Sequence, residues 1–159
     1  MNNTGTLNFG VCVMELNFME DCNEVQASSV VNVSHLTAVV VMDGKVLYVK
    51  KRGNSTLELP TIVPRRSEKP VDAVNRLLKD SLSAEVSRVE FVTVFSRTDG
   101  NEVEYGMLYI AVVTSLRTLN DPELWASYFL DVPPVGHEKW TCPEIDIPLL
   151  EKAMVVIKK

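Results

Sequence analysis

Two strand-turn-strand patterns limit the folds open to this chain more than any other feature. Each is a pair of runs rich in β-branched residues around an Asp-Gly dipeptide, Asp43-Gly44 in the first and Asp99-Gly100 in the second. Because Asp-Gly tolerates the positive φ angles of a tight turn, both patterns predict β-hairpins. The chain must therefore build a sheet from hairpins that are far apart in sequence.

An amphipathic helix is predicted between the two hairpins. Residues 70–82 read PVDAVNRLLKDSL, with apolar side chains every three or four positions, the stripe of a helix that packs on one face. A second helix is predicted for residues 145–159, which read IDIPLLEKAMVVIKK. This order of strands and helices predicts an α+β fold, a mixed α/β/α sandwich.

The remaining segments give weaker patterns. Residues 7–16 and 28–33 are typical of strands or extended pieces, and residues 121–129 predict a short helix with a strand as the alternative. We expect one compact domain overall. Residues 34–159 would form its main body, and residues 1–33 an N-terminal extension or additional strands.

Composition points to an ordinary globular protein of 159 residues, with 46% apolar and 23% charged residues. Its three cysteines are odd in number and contain no C-x-x-C pair, and the N-terminus lacks the pattern of a signal peptide. These features predict reduced thiols and an intracellular, cytoplasmic location. No apolar run approaches the roughly 20 residues that a membrane span needs, so we expect no membrane partner.

Positive charge is concentrated in one segment of an acidic chain. The net charge is −5, yet residues 45–79 hold nine of the 16 Lys and Arg residues, and the first 44 residues hold none. A basic cluster suits phosphate binding, although a solubilising surface is the other interpretation.

Residues 62–84 resemble the signature of the Nudix hydrolases, G-x5-E-x7-R-E-U-x-E-E-x-G-U, where U is apolar. Glu68 falls on the first glutamate, Arg76 on the arginine and Leu78 on the apolar position. The Leu-Pro pair at 59–60 and the flanking hairpins agree, and the resemblance covers residues 34–158. It implies a Nudix-like fold with a mixed central sheet, a box helix and a C-terminal helix.

The departures from the signature fall on its chemistry. Leu77 replaces the glutamate after the arginine, and Asp80 and Ser81 replace the next two. These positions share one helix face, where carboxylates would hold a magnesium ion. Asp80 is therefore the one candidate metal ligand left in the box. Other losses are the paired glycines, at Thr61 and Ile62, and the last glycine, at Ser83.

The resemblance implies a structural role for Glu68 and Arg76, an ion pair that ties the loop to the helix. Beside this pair, Arg65 and Arg66 lie in the altered loop, and Lys51 and Arg52 end a predicted strand. The planar guanidinium of arginine suits phosphate. We predict these four residues as the ligand-binding set and assign no catalytic residue.

These observations support three hypotheses. The preferred one is a degenerate, non-catalytic Nudix-like domain that binds a nucleotide, another phosphate-bearing molecule or RNA, and needs no cofactor. The first alternative is a divergent pyrophosphohydrolase that uses Mg²⁺, with ligands from Asp80, Glu85, Glu102 and Glu104. The second is a scaffold for a protein partner or a homodimer, without nucleotide binding.

Overall fold

The structure is a computed structural model, and it describes residues 15–30 and 32–158. A mixed seven-stranded sheet has the strand order β1-β5-β6-β2-β3-β7, and β4 pairs with β2. The strands are β1 (Glu15–Met19), β2 (Val33–Met42), β3 (Lys45–Lys51), β4 (Thr61–Ile62), β5 (Ala84–Asp99), β6 (Glu102–Leu116) and β7 (Leu124–Leu130). The helices are α1 (Glu24–Val30), α2 (Pro70–Arg76), which continues as a π-helical turn (Leu77–Ser81), and α3 (Pro143–Ile157).

Both predicted hairpins are present. Asp43 and Gly44 have φ angles of 51° and 79°, the pair of positive values that a two-residue hairpin turn requires, and they join β2 to β3. Gly100, with φ of 64°, lies in the turn between β5 and β6. The two hairpins meet where β2 pairs with β6 in parallel, which makes the sheet mixed.

The sheet opens along β2, and this opening positions the site described below. The N-terminal part of β2 pairs with β4, at Leu36↔Ile62 and Thr37↔Thr61, whereas its C-terminal end pairs with β3. Since β3 and β4 contact different parts of one strand, a gap separates them. Thr61 and Ile62, which replace the signature's paired glycines, therefore form a short strand.

Helices cover both faces of the sheet, and the predicted α/β/α sandwich is confirmed. On one face, α1, α2 and the π-helical turn bury Ala27, Val74, Leu77, Leu78 and Leu82. The opposite face packs against α3, and its core contains Phe95, Tyr48, Trp140, Ile145 and Leu149. The apolar stripe of residues 70–82 is thus explained by burial.

Two secondary-structure predictions need correction. Residues 121–129 do not form a helix, because β7 pairs along β3 from Lys51↔Leu124 to Val46↔Leu130; the strand alternative holds. Half of the 28–33 segment, residues 28–30, is the end of α1 rather than a strand. Helix α1 follows a reciprocal cap, in which the Asn23 amide donates to Gln26 Oε1 and the Gln26 amide donates to Asn23 Oδ1. Residues 7–14 lie outside the described residues.

Two general predictions can also be compared with the structure. None of the helices in the described ranges is long and apolar enough to cross a membrane. Cys22 carries a free thiol, whereas Cys142 is disulfide-bonded, so the prediction of reduced cysteines is wrong at Cys142.

Candidate functional site

A cleft opens where β3 and β4 separate, and we call it the main cleft. Its volume is about 320 Å³. The helix side contributes Arg76, Leu77 and Ser81, and the strands contribute Lys51 and Glu58. A depression of about 240 Å³, the α3 pocket, adjoins it on the side of α3. Five residues line both spaces, so the two are continuous: His35, Lys51, Glu58, Thr61 and Val63.

An ion pair fixes the loop that leads into the box helix. Arg76 donates from Nε to Glu68 Oε2 at 3.0 Å and from Nη2 to Glu68 Oε1 at 2.9 Å. Nη2 also donates to the Val63 carbonyl at 3.0 Å, and the Arg65 amide donates to Glu68 Oε1 at 2.8 Å. The hydrogen bonds from Arg76 and then from the Arg65 amide lower the pKa of Glu68 to about 2. Glu68 therefore ties the loop to the helix.

The cleft-facing surface of the box helix carries no carboxylate. The Leu82 amide donates to the Leu77 carbonyl at 3.1 Å, which closes a wide π-helical turn of the kind often found at functional sites. Leu77 and Ser81 line the main cleft, whereas Asp80 is exposed and lies outside it. The signature places carboxylates at positions 77, 80 and 81 of this helix. Two of these positions line the main cleft, and here they are a leucine and a serine.

These residues do not fit the magnesium site that the fold family implies. Magnesium requires several oxygen ligands in octahedral geometry, and the two cleft-facing box positions supply one hydroxyl between them. Within the ranges that the structure describes, no group of three His, Cys, Asp or Glu side chains could hold a metal ion. The substitute ligands predicted from the sequence lie elsewhere: Glu104 pairs with Arg97, Glu85 pairs with Arg117, and Glu102 is exposed at the β5–β6 turn.

The four predicted phosphate-binding residues are not brought together. Lys51 lines the main cleft, with Nζ 3.3 Å from Glu58 Oε1. Arg52 donates from Nε to the Pro122 carbonyl at 2.7 Å and so supports the loop before β7. Arg65 and Arg66 are exposed beside a separate depression at the start of α2. Among these four residues, Lys51 alone lines the main cleft.

Arg76 is a cleft residue whose second role the sequence did not indicate. Its Nε and Nη2 bond to the box loop, but its Nη1 has no hydrogen bond to any described residue. Because Arg76 lines the main cleft, its guanidinium can brace the loop and still offer donors to an anion.

The α3 pocket contains a buried carboxyl, Asp146, that sequence analysis missed. Asp146 is 6% exposed, and its Oδ2 accepts a hydrogen bond from the Leu59 amide at 3.1 Å. Burial raises the pKa of Asp146 to about 7. A signal was present, because Asp146 interrupts the apolar stripe of α3 formed with Leu149, Leu150 and Ala153.

His35 forms a neutral part of the wall between the two spaces. Desolvation by burial lowers its pKa to about 4. The Ser34 hydroxyl donates to the Tyr105 carbonyl at 3.1 Å, and its Oγ lies 3.0 Å from His35 Nδ1. His35 Nε2 is buried and has no hydrogen-bond partner in the described part of the chain. A Cβ on the facing Gly106 would lie 2.8 Å from Nε2 and 2.5 Å from the Phe95 ring.

Comparisons with known proteins bear on the fold. No protein-family model matches the sequence, and no curated protein matches it either. Several solved structures, in contrast, match the fold of this chain. The Bacillus subtilis pyrophosphohydrolase BsRppH superposes with a TM-score of 0.72 at 15% identity, over 89% of this chain and 90% of that one.

Two further solved structures show the same architecture. A Nudix hydrolase from Nitrosomonas europaea gives a TM-score of 0.66 at 14% identity, over 79% of this chain and 90% of that one. The Nudix domain of Shewanella oneidensis NrtR, in complex with ADP ribose, gives 0.65 at 15% identity, over 80% and 89%. This chain therefore has the Nudix fold, as the resemblance in the sequence predicted.

Proposed function

We propose that this chain binds a phosphate-bearing, nucleotide-derived ligand in the main cleft and does not hydrolyse it with a box magnesium ion. The observation that carries the proposal is the combination of an open cleft beside the box helix with Leu77 and Ser81 on its helix side. The NrtR domain, which has the same fold, was crystallised with ADP ribose.

The helix side of the cleft favours direct contact with a phosphate. Carboxylates at positions 77 and 81 would repel a diphosphate unless a metal ion lay between them. Leu77 carries no charge, and the Ser81 hydroxyl can donate a hydrogen bond to a phosphate oxygen. A ligand phosphate can thus approach this face without a metal ion.

Two cations would supply the attraction. The ammonium of Lys51 has three donors, of which one is directed at Glu58, so two remain for a phosphate. The Nη1 group of Arg76 supplies two more N–H donors. Glu58 pairs with Lys51 and Glu68 pairs with Arg76, so both cations are held in place. Asp121 and Glu123 also line the cleft. Their negative charge would keep the anion on the side of the two cations.

Calorimetry with ADP ribose and ADP in EDTA tests the proposal. We expect binding without a metal ion, a marked loss of affinity as salt rises, and about tenfold weaker binding in Lys51→Gln. Lys50→Gln is the matched control, because Lys50 lies against the Tyr128 ring and does not line the cleft. Equal affinities in the two variants would exclude Lys51 as the anion contact.

The same assay separates the competing hypotheses. An Arg65→Ala, Arg66→Ala double variant should bind ADP ribose nearly as well as the wild type, because both residues lie outside the main cleft; a loss as large as that of Lys51→Gln would restore the phosphate site predicted from the sequence. Hydrolysis of ADP ribose with added Mg²⁺ would support the divergent enzyme. If neither nucleotides nor a short RNA oligomer bind at low salt, the scaffold hypothesis replaces the proposal.

A further inference from the structure

We infer that the α3 pocket receives the amino group of the ligand's nucleobase, with Asp146 Oδ1 as the acceptor. The inference rests on the proposed function and extends it, because it names the kind of nucleotide that the site prefers and the orientation in which it binds.

Two carboxyls line the α3 pocket, Glu58 and Asp146, and of these Asp146 has no ionic partner among the described residues. Two cations line the pocket, Lys51 and Arg97. Lys51 pairs with Glu58 at 3.3 Å, and Arg97 pairs with Glu104 at 3.2 Å. Asp146 forms no ion pair with any described residue. A ligand group that enters this pocket therefore meets an unmatched acceptor, and a hydrogen-bond donor satisfies it best.

The geometry of Asp146 leaves one oxygen for a ligand. Oδ2 is occupied by the Leu59 amide, which fixes the carboxyl relative to the segment that carries Glu58. Oδ1 has no hydrogen bond within residues 15–30 and 32–158, and Asp146 lines the pocket. Since the side chain is almost fully buried, its position is set by packing before a ligand arrives, which is the condition for selective recognition.

His35 keeps the pocket wall uncharged. Its Nε2 is buried, so we assign the ligand contact to Asp146 rather than to the imidazole. Because His35 is neutral near pH 7, it does not neutralise Asp146. Gly106 is required at the facing position, since any side chain there would displace the His35 or Phe95 ring.

The two spaces together orient a nucleotide. A phosphate group carries acceptors and negative charge, so Asp146 and Glu58 oppose its entry into the α3 pocket. An amino group on a base is a donor, and carboxylates accept hydrogen bonds from such groups. The diphosphate is therefore directed to Lys51 and Arg76 in the main cleft, and the base to Asp146.

CDP and UDP form a matched pair of probes. They share the ribose and the diphosphate and differ at position 4 of the base, which is an amino group in cytosine and a carbonyl in uracil. At pH 8, where Asp146 is ionised, we expect the wild-type protein to bind CDP about tenfold more tightly than UDP. This comparison needs no substitution, so it does not depend on how any variant folds.

Asp146→Asn tests the residue itself. Its carbonyl can still accept from the Leu59 amide, while its amide nitrogen presents a donor to the pocket, so the preference should disappear or reverse toward UDP. Asp99→Asn, at the exposed end of β5, is the control and should keep the wild-type preference. Equal binding of CDP and UDP by the wild type, or an unchanged preference in Asp146→Asn, overturns the inference and leaves the proposed function intact. If neither CDP nor UDP binds while ADP ribose does, the inference fails and the proposed function stands; if none of the three binds, both proposals fail.

Discussion

Glu68 on the box loop and Asp146 on α3 are carboxyls whose surroundings shift their pKa values in opposite directions. Glu68 accepts two hydrogen bonds from Arg76 and one from the Arg65 amide, and its pKa falls to about 2. Asp146 is buried beside a single amide donor, and its pKa rises to about 7. Desolvation by burial raises the pKa of Asp146, whereas the hydrogen bonds from Arg76 and the Arg65 amide lower the pKa of Glu68.

The comparison separates structural acids from acids that are available to a ligand. Glu68 uses both of its oxygens inside the protein, so it stabilises the loop and has little left to offer. Asp146 uses one oxygen and retains the other toward a pocket. Perturbed carboxyls in clefts are candidates for function, and the oxygen that Asp146 leaves without a hydrogen bond in the α3 pocket identifies Asp146 as the candidate of the two.

The largest expected effect concerns the stability of the α3 side. The pKa of Asp146 is higher in the folded state than its ordinary value of 3.8. The stability that the protonated carboxyl contributes to the folded protein is therefore present below about pH 4 and is lost as the pH rises to about 7. Compared with the wild type, Asp146→Asn should gain on the order of 3 kcal/mol in free energy of unfolding between pH 4 and pH 8.

Urea titrations of both proteins at each pH measure this difference, with Asp99→Asn as the control. A constant difference between wild type and Asp146→Asn at all pH values would show that Asp146 is not desolvated in the folded protein.

A smaller effect is expected on the side of the box loop. Glu68→Gln removes the charge that Arg76 requires, so Tm should fall by several degrees at pH 7. The pKa of Glu68 is lowered in the folded state, so the stability that its carboxylate contributes is present above about pH 4.5 and is lost as the pH falls toward 2. The difference in Tm between Glu68→Gln and the wild type should shrink over that range.

Thermal melts followed by circular dichroism measure the deficit. Asp80→Asn removes a charge from an exposed helix position and should leave Tm nearly unchanged. Similar losses in Glu68→Gln and Asp80→Asn would mean that the ion pair does not hold the loop.

The smallest expected effect concerns Ser83, at the position of the signature's last glycine. Its φ angle is 55°, in the left-handed region that glycine occupies without steric cost. Ser83→Gly should therefore raise the free energy of unfolding by about 0.5 kcal/mol, as measured by urea titration. A loss of stability would show that the serine side chain has a structural role of its own.

The fold was largely predictable because local chemistry and burial agree. The Asp-Gly turns, the stripe of the box helix and the C-terminal helix depend on residues close in sequence. Residues 121–129 were harder, because their strand forms through pairing with β3, a partner more than 70 residues away. The cap of α1, Asn23 to Gln26, was visible in the sequence and would have indicated the helix.

The candidate site was less predictable, because it depends on which side chains share a cavity. Spacing placed Leu77 and Ser81 on one face, and the structure agrees. Spacing could not show that Arg65 and Arg66 lie outside the main cleft, nor that Asp146 and Lys51 line one pocket. The opening between β3 and β4 brings these residues together, and it arises from the pairing of Thr61 and Ile62 with β2.

Helix α1 links the start of the described chain to the box helix. Ala27 is buried in the same core as Leu77 and Leu78, and the Tyr109 hydroxyl donates to Glu24 Oε2 at 2.6 Å. A substitution at Ala27 in α1 would therefore alter the packing of the core against which Leu77 and Leu78 lie. In evolutionary terms, helix α1 is not free to drift: we expect Ala27 to vary together with the apolar positions of the box helix.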